Sequence, residues 1–379
     1  MEALFFENGG HMYGDIRNPG WTVTFHPVLN IRKLFIELTN RCNLDCVMCY
    51  RHSWRCSEGE MDEDLFEKIL LEISRLTELE EIVLGGFGEP LFHPKFWDWL
   101  SRLHAAAPDV PITLPTNGVL LQPSQIGALA ESGVSKIVVS VDGADIDIQR
   151  DVRGFEAGEV SLKLAALSAA IKRTPGISWW WETVWQQKNK RCLPDVLRLA
   201  AKLHVKQLIV SHLVAVLPAQ TDEALFDPEM AAEDKKILER ARLTAMNSGL
   251  SAQFPREKPK TERKCSFVEK MSVVIRWDGA VAPCYRYLHG CMEHFFGRSK
   301  EVPAFMFGSL KDSGLEEIWT RQEYQQFRYR VANNLYPSCA DCELVEGCDL
   351  TVHRAEGDCD GGMPSCGDCL WSRGMVLCP

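Results

Sequence analysis

The chain has 379 residues, 46% of them hydrophobic and 25% charged, proportions of a folded soluble protein that leave little for extended disorder. Its formal net charge of −10 carries no basic block, which excludes the electrostatic footprint of phosphate-backbone binding and with it a nucleic-acid partner. No stretch approaches the ~18 apolar residues of a membrane span, and Met1 to Phe6 lack a cationic segment followed by an apolar run, so the expected location is the cytoplasm, with no membrane contact.

The length suits one barrel-sized domain and a smaller second one. Fifteen cysteines in a reducing compartment point to metal rather than disulfides. Three lie at 42–49, ten lie between 265 and 378, and only Cys56 and Cys192 stand apart.

Residues 1–30 read as a strand-and-turn extension, because Gly9-Gly10, Gly14-Asp15 and Pro19-Gly20 punctuate short aromatic and β-branched runs. From Leu34 a strand and helix alternation begins. Strands are predicted at Leu34 to Leu38, Glu81 to Leu84, Pro111 to Leu114, Lys136 to Val141, Ile177 to Val184 and Lys206 to Ser211. Helices are predicted at Asp62 to Leu76, Phe96 to Ala106, Pro123 to Ser132, Val160 to Lys172 and Leu193 to Leu203. Such alternation indicates right-handed βαβ units on a parallel sheet. About six units favour a partial, open (β/α)6 TIM-type barrel over a closed one of eight, with a doubly wound sheet as the alternative. The barrel is expected over 31–250. After a helix near Met230 to Asn247, Pro255, Pro259 and alternating charges mark a boundary, and 251–379 reads as a small cysteine-rich domain organised by metal.

Cys42, Cys46 and Cys49 follow the first strand, at the end where parallel barrels place their chemistry. Three thiolates cap three irons of a four-iron cluster, where electron-transfer clusters normally use four, so one iron stays open to a ligand. A zinc loop completed by His52 is the alternative. Gly85-Gly86-Phe87-Gly88-Glu89 follows the second strand; its glycines permit close backbone approach and Glu89 can accept from an ammonium group. Thr116-Asn117-Gly118 and Ser140-Val141-Asp142-Gly143 follow the third and fourth strands, where each also reads as ordinary turn chemistry. Trp179, Trp180, Trp181 and Trp185 lie on a strand, as core packing or as pocket lining.

The spacing Cys42-x3-Cys46-x2-Cys49, with Thr39-Asn40-Arg41 before it, resembles the signature of the radical S-adenosylmethionine (SAM) superfamily over roughly 35–215. Met48 stands where that family often has an aromatic residue. The resemblance implies that a 4Fe-4S cluster on these three cysteines chelates SAM, which one electron cleaves to a 5′-deoxyadenosyl radical. It implies that Gly86, Gly88, Glu89, Asn117, Ser140, Asp142 and Arg153 bind SAM, and it implies an electron donor such as flavodoxin or ferredoxin.

Cys265-x13-Gly279-x4-Cys284 and Cys339-x2-Cys342-x5-Cys348 are similar to the SPASM domain, which holds auxiliary clusters. The family expects a cysteine at Val352. By resemblance, one cluster uses Cys265, Cys284 and Cys359 with Cys291 as a candidate fourth ligand. A second uses Cys339, Cys342 and Cys348 plus one of Cys366, Cys369 and Cys378. A zinc ribbon of Cys339-x2-Cys342 with Cys366-x2-Cys369 is the alternative. Tyr285 stands where sulfatase-maturing members have an aspartate base; Tyr285, Tyr287 and Asp278 are the candidate proton acceptors. The tail from Asp358 to Pro379 resembles maturases associated with tungsten-containing oxidoreductases. The implied substrate is a peptide, protein or cofactor, with maturation of such an oxidoreductase ranked above crosslinking of a ribosomally made peptide. A fully ligated electron-transfer protein is the non-enzyme alternative.

Overall fold

The computed structural model describes residues 3–8, 11–18, 20–154, 160–226, 229–348, 350 and 357–377. Three antiparallel strands open the chain, β1 (Ala3–Asn8), β2 (His11–Asn18) and β3 (Trp21–Phe25). The barrel follows: β4 (Lys33–Ile36), β5 (Glu81–Leu84), β6 (Ile112–Thr116), β7 (Val134–Ser140), β8 (Ser178–Trp185) and β9 (Gln207–His212) lie side by side in parallel.

Helices α1 (Glu63–Ile73), α2 (Phe96–Ala106), α3 (Ile126–Glu131), α4 (Ile146–Arg153), α5 (Val160–Lys172), α6 (Leu193–Lys202) and α7 (Ala232–Asn247) connect the strands. The Asp62 carboxylate accepts from the Leu65 amide at 2.9 Å and caps α1, a contact worth about 1 kcal/mol. Leu65, Phe66, Ile69 and Ile73 then face the sheet, and Phe66 stacks on Trp99 of α2.

Strand β8 shows why the strands have two faces. Trp179, Trp181, Thr183 and Trp185 are buried on one side, while Trp180, Glu182 and Val184 alternate onto the other. The core-packing expectation for the tryptophans therefore describes three of the four; Trp180 instead lies under the Lys136 ammonium, 4.7 Å from its ring centroid. At the opposite end of the strands from the chemistry, Lys33 and Lys136 each reach Glu81 at 2.9 Å. Against burial, they hold its carboxyl at about 2.

The sheet does not stop at residue 250. Strand β10 (Ser251–Gln253) pairs in parallel with β9 at one edge. At the other edge β11 (Ser272–Ile275) pairs in parallel with β4, and β12 (Ala280–Ala282) follows antiparallel to β11. A hairpin of β13 (Cys291–Phe295) and β14 (Arg298–Val302) stands apart, and β15 (Gly308–Ser309) returns beside β12 as the last of ten strands. The cysteine-rich segment thus extends the barrel sheet beside β4, under the three-cysteine loop. No helix among the described residues is long and apolar enough to cross a membrane.

Candidate active site

Cys42, Cys46 and Cys49 sit on the loop between β4 and α1, close enough that Cys46 feels the charge of the other two and Cys49 that of Cys42. Burial pushes all three thiols up, Cys46 to about 11, so as free thiolates they are costly and a bound metal group that stabilises thiolates fits them. His52 is not turned to this set: its Nε2 lies 2.9 Å from the Cys46 carbonyl and 3.4 Å from Asp45.

The glycine loop after β5 packs against the cysteine loop backbone to backbone. A Cβ at Gly88 would lie 2.2 Å from the Thr39 carbonyl oxygen and 2.6 Å from that of Arg41, and one at Gly86 would strike the Glu37 carboxylate. Only glycine allows that approach. Glu89 follows, fully buried, accepting from the Asn117 amide at 2.7 Å, the Thr116 hydroxyl at 2.8 Å and the Leu91 amide at 3.2 Å. Burial nevertheless pushes its carboxyl up to about 7, and an incoming ammonium group would complete its set of partners.

Asn117 combines turn and site. Its Oδ1 accepts from the Val119 amide at 2.9 Å, an Asx turn ending at Gly118 with φ +78°, while its Nδ2 donates to Asn43 at 2.8 Å and lies 3.6 Å from Cys42 Sγ. Ser140 shares a small cavity with Asn117 and Gln149. Asp142, at the end of β7, is fully buried; it accepts from the Val184 amide at 2.7 Å and pairs with Arg153 at 2.7 Å. Arg153 ends α4, which Gly154 closes in the left-handed conformation. Its Nε is buried without a partner and its charge acts on Cys46. An unanswered donor beside the cysteine loop fits an anionic group such as the carboxylate of SAM.

The C-terminal cysteines fall into two groups, differently from the expected sets. Cys265, Cys284, Cys366 and Cys369 line one cavity. Burial pushes Cys265 to about 12 and raises Cys284 and Cys366, each further raised by its cysteine neighbours. Cys359, expected with Cys265 and Cys284, is instead exposed and interacts with Cys348. Cys291 is buried on β13 among Tyr287 and Val302, and the charges acting on it are Glu293 and Arg286 rather than other thiols. The tail folds back because the Asp368 carboxylate, fully buried, takes Lys300 and Arg298, and because the Cys339 amide donates to the Gly367 carbonyl. That return lays Gly367, the residue after Cys366, against Cys339, while the cavity holds Cys366 and Cys369 with Cys265 and Cys284. Among the described residues no three His, Cys, Asp or Glu side chains converge on a single-ion site. Cys378, like Val352, lies outside the described residues.

Tyr285 stands beside Cys284 and donates to the Gly85 carbonyl at 3.2 Å, with Phe35, Phe87 and Phe267 around its ring. Tyr287 is buried and directed onto the Ser365 carbonyl. Asp278, the other candidate acceptor, is engaged elsewhere: Arg276 grips both its oxygens at 2.8 and 2.6 Å and the Ala280 amide donates to it. Against burial, that grip holds its carboxyl low, and it shapes the turn between β11 and β12. Sequence reasoning passed over Glu182, whose carboxyl the barrel interior pushes up to about 7. Its signal was a lone carboxylate on the inward register of an aromatic strand.

Residues 36–175 match the Radical SAM superfamily, and residues 265–343 match the iron-sulfur cluster-binding domain SPASM. The tungsten-containing aldehyde ferredoxin oxidoreductase cofactor-modifying protein of Pyrococcus furiosus is 36% identical over 354 residues, 92% of this chain and 97% of that protein. A PqqA peptide cyclase of Rhodopseudomonas palustris is 25% identical over 88% of this chain and 86% of its own. Among solved structures, anSMEcpe with bound AdoMet superposes with a TM-score of 0.60 at 17% identity, covering 87% of this chain and 92% of that one. Streptococcus suis SuiB bound to S-adenosylmethionine gives 0.59 at 14% identity, covering 84% and 72%. With a near-full-length relative at this identity and the barrel, cysteine loop and second cysteine array in one chain, the protein belongs to the radical SAM superfamily, in the group that carries a SPASM domain.

Proposed function

We propose that this enzyme modifies the cofactor of a tungsten-containing oxidoreductase. In this reading Cys42, Cys46 and Cys49 hold the SAM-binding 4Fe-4S cluster, Glu89 takes the methionyl ammonium and Arg153 its carboxylate. Asn117 and Ser140 orient the rest of the molecule from the β6 and β7 ends. When bound, the cluster and SAM together supply a 5′-deoxyadenosyl radical. The chain's own part is to hold SAM in one pose, to keep water out with the aromatic wall of Tyr50, Phe87 and Tyr285, and to carry clusters within the same sheet.

The observation that supports the site is the gathering of three thiols against Glu89, Asn117 and Arg153. The substrate direction rests on the relative from Pyrococcus furiosus, which this chain matches over 92% of its length. Cys265, Cys284, Cys366 and Cys369 are assigned to one auxiliary cluster, and Cys339, Cys342, Cys348 and Cys359 to the other. Tyr285, between Cys284 and the glycine loop, is the proton acceptor of choice. The electron donor is a ferredoxin or flavodoxin, and cysteines clustered to hold metal suit a reducing, cytoplasmic setting.

The test is co-production of a tungsten oxidoreductase with and without this chain, followed by mass spectrometry of the extracted cofactor. A mass change that requires the chain and its Cys42 supports the reading. An unchanged cofactor, together with hydrogen loss from a short co-produced peptide, would shift the assignment to peptide crosslinking, which the PqqA cyclase similarity favours.

A further inference from the structure

Cys56 belongs to neither cysteine group. It lies seven residues past Cys49 on a loop that Asn40 holds rigid: the fully buried Asn40 side chain donates to the Ser57 carbonyl at 3.0 Å and accepts from the Gly59 amide at 2.7 Å. Cys56 Sγ is 3.4 Å from His289 Nδ1. The other ring nitrogen of His289 lies 2.9 Å from both oxygens of Glu37. Glu37 is wholly buried and His289 nearly so, while Cys56 is half-exposed. Trp54 lies tilted against the imidazole, with ring centroids 4.1 Å apart, and fixes its plane.

A partly buried thiol, an imidazole behind it and a carboxylate behind that is a nucleophile, a cationic ring that activates it and a group that holds the ring. We propose that Cys56, His289 and Glu37 form a nucleophilic thiol site that takes an electron-poor carbon. In the step, the Cys56 proton leaves to solvent and the sulfur, facing the His289 imidazolium, bonds to the carbon. With a conjugated alkene the carbon–carbon π bond opens and His289 Nδ1 gives its proton to the neighbouring carbon, to be replaced from solvent. With an alkyl halide the halide leaves and the imidazolium is unchanged. No oxidant or reductant is needed.

Three further features support the assignment. Glu37 and Cys56 raise His289 to about 9 against the opposing pull of burial, so at pH 7 the ring holds a positive charge against the Cys56 sulfur, which favours attack by that sulfur. The other charged groups nearby are the Arg276 guanidinium, whose charge acts on both Glu37 and Cys56, and Asp278, which Arg276 grips. Finally, Glu37 accepts from the Phe87 amide at 3.3 Å inside the glycine loop, so the far end of the relay is anchored to the SAM-binding segment. The geometry stands independently of the substrate proposed above.

The experiment uses the anaerobic holoenzyme with its clusters assembled. Iodoacetamide is added at pH 7 together with glutathione, and timed samples are digested and mapped. The expected result is alkylation at Cys56 at least tenfold faster than at glutathione, with no loss of iron. His289→Asn slows it at least tenfold, and Glu37→Gln slows it less. A Cys56 rate at or below that of glutathione overturns the proposal without any variant. So does an unchanged rate in His289→Asn or, should that variant not fold, in Glu37→Gln, which would leave His289 and Glu37 as a structural tie between the two halves of the sheet. Loss of iron in Cys56→Ala would make Cys56 a cluster ligand and also overturn it.

Discussion

Removing the guanidinium of Arg153 leaves the Asp142 carboxylate in the barrel interior with only the Val184 amide to answer it. An unpaired buried charge costs far more than the intact pair contributes, so Arg153→Ala is expected to lower the unfolding free energy by about 3–5 kcal/mol. The double variant Asp142→Asn with Arg153→Met is expected to lose less than Arg153→Ala alone. Denaturant unfolding checks this, and additive losses in the two single variants and the double would show that the two groups are not coupled. The residue scale is also where the sequence was most legible. Cys42, Cys46, Cys49, Glu89, Asn117, Ser140 and Asp142 come from four successive strand ends, with Arg153 closing the helix after the fourth, and chain order alone brings strand ends together in a parallel barrel. The Arg153–Asp142 pair and the Glu37–His289 contact were not legible, because nothing local to either partner announces the other; the second spans 252 residues.

Strand β9 ends at His212, which ties three elements together. Its Nε2 lies 2.9 Å from the Arg256 carbonyl in the segment leading to the cysteine array, its amide donates to Met375 in the tail, and its ring packs on Trp185 and Phe226. Burial lowers this imidazole to about 4, below the ~6.5 of an exposed histidine. A depressed histidine contributes stability that is whole above pH 6.5 and is lost as pH falls toward 4. The difference amounts to about 3 kcal/mol. Thermal melts between pH 7 and 4 should therefore show a steeper acid loss in the wild type than in His212→Phe, and parallel curves would contradict the assignment. Elements with a strong repeat were predicted close to where they lie, the strands within a few residues. Helix α4 was missed because its eight residues, Ile146–Arg153, are mostly polar and make barely two turns, too short for a repeat to stand out.

Across the whole molecule, the sheet joins barrel and cysteine array into one body, and that continuity decides which cysteines meet. The resemblance set Cys359 with Cys265 and Cys284, whereas the cavity gathers Cys366 and Cys369 there. The return of 358–369 depends on Asp368 with Lys300 and Arg298, contacts across some 70 residues that no local pattern encodes. Two auxiliary clusters and the SAM cluster amount to about twelve irons per chain. Cys366→Ala should remove about four of them and Cys291→Ala none; the reverse result would restore Cys291 as a ligand. The central claim is that the open cluster on Cys42, Cys46 and Cys49 cleaves SAM, and the most direct measurement is 5′-deoxyadenosine released by the reduced, reconstituted enzyme. The wild type is predicted to release it and Cys42→Ala to release none, whereas cleavage by Cys42→Ala at the wild-type rate would contradict the account.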